Sequence, residues 1–150
     1  YAPIWYDTLL FDLLNKGHFW LNEEPGMAVP GWDAHLPRIC TWVILLDRKQ
    51  NKKLLVMNTH FDHAGSLSRT YSADLVVQVA RQLQQGMPLL FMGDLNCTPD
   101  EYPHQIFSGA GWFDARNTAG NLSGVVGTFP DFDGKRPEKR IDYVYYQGLE

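Results

Sequence analysis

Apolar and polar positions change period along this chain, and each change marks a different element. Near the start, apolar runs at 3–6, 9–14 and 18–21 are separated by Asp7-Thr8 and by Asn15-Lys16-Gly17. Short β elements joined by turns are expected there. Residues 22–37 hold three prolines, two glycines and several charges around Trp32, the composition of a loop. Two apolar, partly β-branched runs at 39–46 and 54–57 flank a polar stretch and predict a hairpin.

From 68 to 85 the period becomes helical, because Leu75, Val76, Val79, Ala80 and Leu83 recur at that spacing before Gly86. Residues 89–92 then form a short apolar run, expected as a strand buried on both faces that delivers Asp94 to its end. Thr98-Pro99-Asp100-Glu101 reads as a helix start, with Thr98 as cap and Glu101 completing a capping box. That helix should end near Phe107. Residues 109–139 are rich in Gly, Asp, Asn and Pro and are expected as loop, with a strand near Thr128-Phe129, and 141–146 predict a closing strand.

Composition narrows the picture. With 150 residues, 45% of them apolar and 20% charged, the chain has the balance of one folded domain or part of one. No apolar run reaches the ~20 residues that span a bilayer, so no transmembrane segment is expected. A net charge of −4 argues against a broad electrostatic footprint for nucleic acid. Cys40 and Cys97 are too few for a disulfide framework and lack zinc-type spacing.

Chemistry concentrates in two places. Asn58-Thr59-His60-Phe61-Asp62-His63 ends a strand, so Asn58, His60 and Asp62 should project to one side. The plainer alternative makes His60 and His63 surface residues satisfied by water or by Asp62. After Gly93, Asp94 and Asn96 lie two residues apart, suited to holding a hard divalent cation or orienting a water. Their plainer alternative is an Asx-turn. Asp142, inside an apolar strand, is a candidate for orienting a histidine or for pairing with Arg140. Arg38 offers a fork to a phosphate or a partner to Asp33, and Trp32 offers a stacking face or simple packing.

Two resemblances follow from these strings. His60-Phe61-Asp62-His63 is similar to part of the HxHxDH motif of metallo-β-lactamase-like dinuclear zinc hydrolases, but Asn58 stands where that motif needs its first histidine. The fuller resemblance is to the endonuclease/exonuclease/phosphatase superfamily, whose NTHxDH, GDxNxTPD and RIDYV-type motifs occur here in order at 58–63, 93–100 and 140–144. It extends through Phe19-Trp20-Leu21, Trp32-Asp33-Ala34 and Leu36-Pro37-Arg38.

That resemblance implies an α/β (α+β) class, a two-sheet β-sandwich flanked by helices of the DNase I-like kind. Residues 1–150 would form a partial domain, incomplete at both ends. It implies a phosphoester substrate and Mg²⁺ or Mn²⁺ as cofactor, with Asp94 and Asn96 as metal-side residues. His60 would hydrogen-bond the scissile phosphate, Asp94 would orient or deprotonate the attacking water, and Asn96 would help place metal and phosphate. Asp142 would hold a catalytic histidine, with Arg38, His63 and Trp32 on the substrate side. The family's other metal ligands and its final Asp-His pair are expected outside this chain, leaving these residues alone inactive or nearly so. A non-catalytic binding module is the remaining alternative.

Overall fold

The computed structural model describes residues 1–130 and 138–149. Six strands form one sheet: β1 (Phe11–Trp20), β2 (Ile39–Asp47), β3 (Lys52–His60), β4 (Leu89–Asp94), β5 (Phe113–Asp114) and β6 (Asp142–Gln147). The helices are α1 (Ser66–Gln84), α2 (Tyr102–Gly109) and the single-turn α3 (Ala115–Thr118). Strand order is β1-β2-β3-β4-β6-β5, with β3 and β4 parallel and the remaining neighbours antiparallel.

The parallel β3–β4 pair requires a crossover, and α1 supplies it. Ala73, Val76, Val77 and Ala80 of α1 and Phe107 of α2 pack against Leu55, Met57, Leu89, Phe91, Tyr143 and Tyr145 on one sheet face. Because strand side chains alternate, the next residues along the same strands lie on the opposite face. There Val43, Leu45 and Val56 form a second, smaller cluster with Ile4, Tyr6, Leu90 and Met92.

Several local expectations change. Asn15-Lys16-Gly17 makes no turn; the strand runs through it, with a register shift between Leu13 and Asn15. Gly17 is needed for a different reason, since a Cβ there would lie 2.5 Å from the Trp42 ring. Residues 3–6 are not strand, and β4 is fully buried on one face only. The helix expected from Thr98 starts later: residues 98–101 form a turn, and Glu101 precedes α2. Glu101 still accepts the Thr98 N–H at 2.8 Å, so one half of the expected capping box forms without a helix around it. Thr128-Phe129 makes only an isolated bridge, Phe129 with Lys139, and residues 131–137 of the expected loop lie outside the described residues.

Candidate active site

Strand register brings the candidate residues together. His60 on β3 is the partner of Asp94 on β4, and Asp94 is the partner of Asp142 on β6. Three polar side chains therefore stand side by side across three neighbouring strands. All three sit at the face opposite α1, because the alternation that buries Phe91 and Tyr143 turns Asp94 and Asp142 the other way.

Gly93 makes this register attainable. Its φ is +154°, and a Cβ at that position would lie 2.1 Å from the Thr59 carbonyl oxygen. No other residue fits there.

His60 Nε2 lies 3.4 Å from Asp94 Oδ2. Burial lowers the His60 pKa, helped by Arg38, and outweighs the attraction of Asp94 and Asp142. Burial also raises the Asp94 pKa, with Asp142 adding to it against the Asn96 N–H, His60 and Arg38. Both shifts favour neutral forms, the expected result when charge is moved out of water. Asn96, at φ +47°, turns its backbone N–H to Asp94 Oδ1 (2.9 Å) and donates Nδ2 to the Phe61 carbonyl (2.9 Å). The Asx-turn reading of Asp94 and Asn96 thus describes the same backbone that positions the carboxylate.

A cavity of about 550 Å³ opens over this face, lined among others by Asn58, Asp94, Asp142, Arg116, Arg140 and Thr128. Asn58 donates Nδ2 to the Pro3 carbonyl at 2.8 Å. Asp142 is exposed rather than buried, since only the Tyr143 and Tyr145 face of β6 packs into the core. Its expected pairing with Arg140 does not form. Arg140 instead binds Asp114 at 2.5 Å and stacks over the Tyr143 ring with Cζ 4.3 Å from its centroid. Tyr143 in turn donates its hydroxyl to the carbonyls of Cys97 (3.0 Å) and Arg140 (2.8 Å), tying the β4 exit loop to the start of β6.

Asp62 departs from the one-side expectation. Its fully buried carboxylate accepts backbone N–H groups of His35 (3.1 Å), Leu36 (3.1 Å), Ala64 (3.0 Å) and Gly65 (2.9 Å) and pairs with Arg38 Nε at 3.3 Å. Burial pushes its carboxyl up, yet these donors outweigh it and hold it well below the usual carboxylate range. Asp62 is thereby spent on joining the 33–38 loop to the α1 entry. Arg38 also reaches His63 Nδ1 at 3.2 Å, so the largely buried Arg38 links Asp62 to the half-exposed His63. Trp32 stacks on Tyr71 of α1, 5.4 Å between centroids, and does not line the cavity.

The residues of this site fit a hard cation only partly. Among the described residues no group of three His, Cys, Asp or Glu side chains is placed to hold a metal ion. Asp94 and Asp142 nevertheless set two carboxylates in register, with the Asn58 carboxamide on the same cavity. An all-oxygen set with few protein ligands suits Mg²⁺, which keeps several waters and uses one or two carboxylates. Cys97 is no such ligand: burial pushes its thiol up to about 12, and it faces His104 Nε2 at 3.3 Å.

A profile of the Endonuclease/Exonuclease/phosphatase family matches residues 5–150. The chain belongs to that family. Among solved structures of similar fold is a mannosyl-6-phosphatase of Bacteroides thetaiotaomicron, 34% identical with a TM-score of 0.89, covering 95% of this chain and 55% of that one. Another endonuclease/exonuclease/phosphatase family protein of the same organism is 34% identical with a TM-score of 0.87, covering 94% of this chain and 52% of that one. A protein named R895 from Acanthamoeba polyphaga mimivirus is 25% identical over 182 residues, covering 100% of this chain and 26% of its own length.

The chain thus spans about half the length of these solved structures. The family match and the likeness bear out the DNase I-like α/β class. They also set aside the dinuclear zinc reading, in which Asp62 would be a free ligand rather than a buried structural acceptor. Arg116 is the cavity residue that sequence reasoning missed. It sits in a stretch whose composition reads only as loop, and no local signal sets it apart.

Proposed function

We propose that this chain carries one side of the active site of a divalent-metal-dependent phosphoester hydrolase acting on a compact substrate. The observation that carries the reading is the in-register row His60, Asp94 and Asp142, of which Asp94 and Asp142 line one cavity.

In this reading His60, kept neutral by burial, donates a hydrogen bond to an oxygen of the scissile phosphate. Asp94 accepts from the attacking water and orients it in line with the leaving oxygen, a role that its raised pKa suits. Asp94, Asn96 and Asp142 are the residues that would hold Mg²⁺ or Mn²⁺. The bound cation supplies Lewis acidity at a phosphoryl oxygen. Asn96 holds the Asp94 carboxylate through its own N–H, while Arg38, held by Asp62 and in contact with His63, lies on the substrate side of the site.

Compactness of the substrate rests on the cavity. Its volume suits a small phosphorylated compound, within the ~300–1,000 Å³ typical of ligand sites. Among the described residues its walls include Met92, Val125, Val126 and Val144, and its one aromatic, Tyr143, has its ring packed in the core and under Arg140 rather than open to a base. The similarity to a mannosyl-6-phosphatase supports the same class.

The test is hydrolysis of mannose 6-phosphate and of a generic nitrophenyl phosphodiester by the whole protein with Mg²⁺. Asp94→Asn and His60→Ala should each lower kcat by roughly 10²–10³. Unchanged turnover in both variants would sink the assignment.

A further inference from the structure

Among the described residues the cavity is lined by two arginines, and they are in opposite states. Arg140 is buried, ion-paired to Asp114 at 2.5 Å and stacked on Tyr143. Arg116 is only partly buried, and among the described residues its guanidinium has no hydrogen-bond or ion-pair partner. Asp114, the nearby acid, is already engaged: its Oδ1 accepts from Arg140 Nη2 and from the Arg116 backbone N–H at 3.0 Å. The same carboxylate therefore anchors the Arg116 backbone while leaving its side chain unpaired.

Arg116 lines the cavity together with Asp94 and Asp142, with Ala115, Val125 and Val126 as apolar neighbours. A guanidinium is never deprotonated, and its planar fork matches phosphate oxygens bidentately. With Arg140 neutralised, Arg116 is, among the described residues, the cavity cation left for a ligand. The phosphate under attack is already served by His60 and by the residues that would hold the metal.

We propose that Arg116 determines specificity by binding a second phosphate on the leaving-group side of the substrate, so that compact bisphosphorylated compounds are preferred over their monophosphates. This rests on the phosphoester hydrolase reading above. Val125 and Val126 line the same cavity and give it an apolar side next to Arg116.

The test compares kcat/KM of the whole protein with Mg²⁺ for mannose 1,6-bisphosphate and mannose 6-phosphate, which differ only in the second phosphate. Wild type should favour the bisphosphate by roughly 30-fold, and Arg116→Gln should remove most of that ratio while Arg116→Lys keeps part of it. A wild-type ratio near one, or a ratio unchanged by Arg116→Gln, overturns the proposal. Calorimetric titration of metal-free protein with mannose 1,6-bisphosphate separates this outcome from failure of the hydrolase reading. Binding that weakens roughly tenfold in Arg116→Gln supports Arg116 even if neither compound is hydrolysed, and equal binding rejects it. The melting temperature of each variant should match wild type, because no protein partner is lost.

Discussion

His60 Nε2 and Asp94 Oδ2 lie 3.4 Å apart on parallel neighbouring strands, and the pair is held in register by a glycine that leaves no room for a side chain. Burial acts on both groups in the same sense, towards the neutral imidazole and the neutral carboxyl. What keeps the carboxylate usable is its local donors, the Asn96 N–H above all.

The titration of Asp94 should show this balance directly. In metal-free protein, carboxyl-carbon NMR should place its pKa above the ordinary aspartate value of ~3.9. Asp142→Asn removes a like charge from the neighbouring strand and should move Asp94 downward. An Asp94 midpoint that does not respond to Asp142→Asn would contradict the in-register arrangement.

Asp62 should govern acid stability. Its folded-state pKa is depressed, so its contribution is fully present above the unfolded value of ~3.9 and is lost as pH falls through the folded value. Asp62→Asn should cost about 3 kcal/mol at pH 7, since Arg38 is left without its carboxylate. Urea midpoints of the two proteins should converge as pH drops below about 4. A gap independent of pH would mean that the charge of Asp62 is irrelevant.

Gly93→Ala tests the packing beneath the site. The added methyl meets the Thr59 carbonyl at 2.1 Å, so the β3–β4 register must shift or the strands part. A loss of about 3 kcal/mol or more is expected in chemical denaturation. A variant as stable as wild type would show that the close approach is not real.

Tyr143→Phe separates positioning from stability. The hydroxyl bridges Cys97 and Arg140 carbonyls in a buried setting, and its removal should cost about 1–2 kcal/mol. Because Cys97 follows Asn96 on the loop from Asp94, kcat should also fall by roughly tenfold with KM little changed. A variant that loses stability alone would make Tyr143 purely structural.

Much of this was legible in the sequence. The helical period of α1, the hairpin of β2 and β3 and the strands carrying Asp94 and Asp142 all follow from spacing, because one face of each element is buried against a common core. Errors came where a residue type has two uses. Gly17 reads as a turn residue but admits the Trp42 ring, and Thr98-Pro99 reads as a helix start but closes a turn before Glu101. Asp62 reads as a site residue within its motif, yet four backbone N–H groups from two separate segments converge on it.

The sequence by itself determined the main helix, the β2–β3 hairpin, the strands of Asp94 and Asp142, the three ordered motifs and hence the family, since these depend on local period and residue identity. Only the tertiary structure decided which polar groups are spent and which remain free. Asp114 takes Arg140 and leaves the Arg116 guanidinium without a partner among the described residues, and strand register sets His60, Asp94 and Asp142 in one row. Pairing across 26 residues, as between Arg140 and Asp114, depends on how strands meet and not on any local pattern.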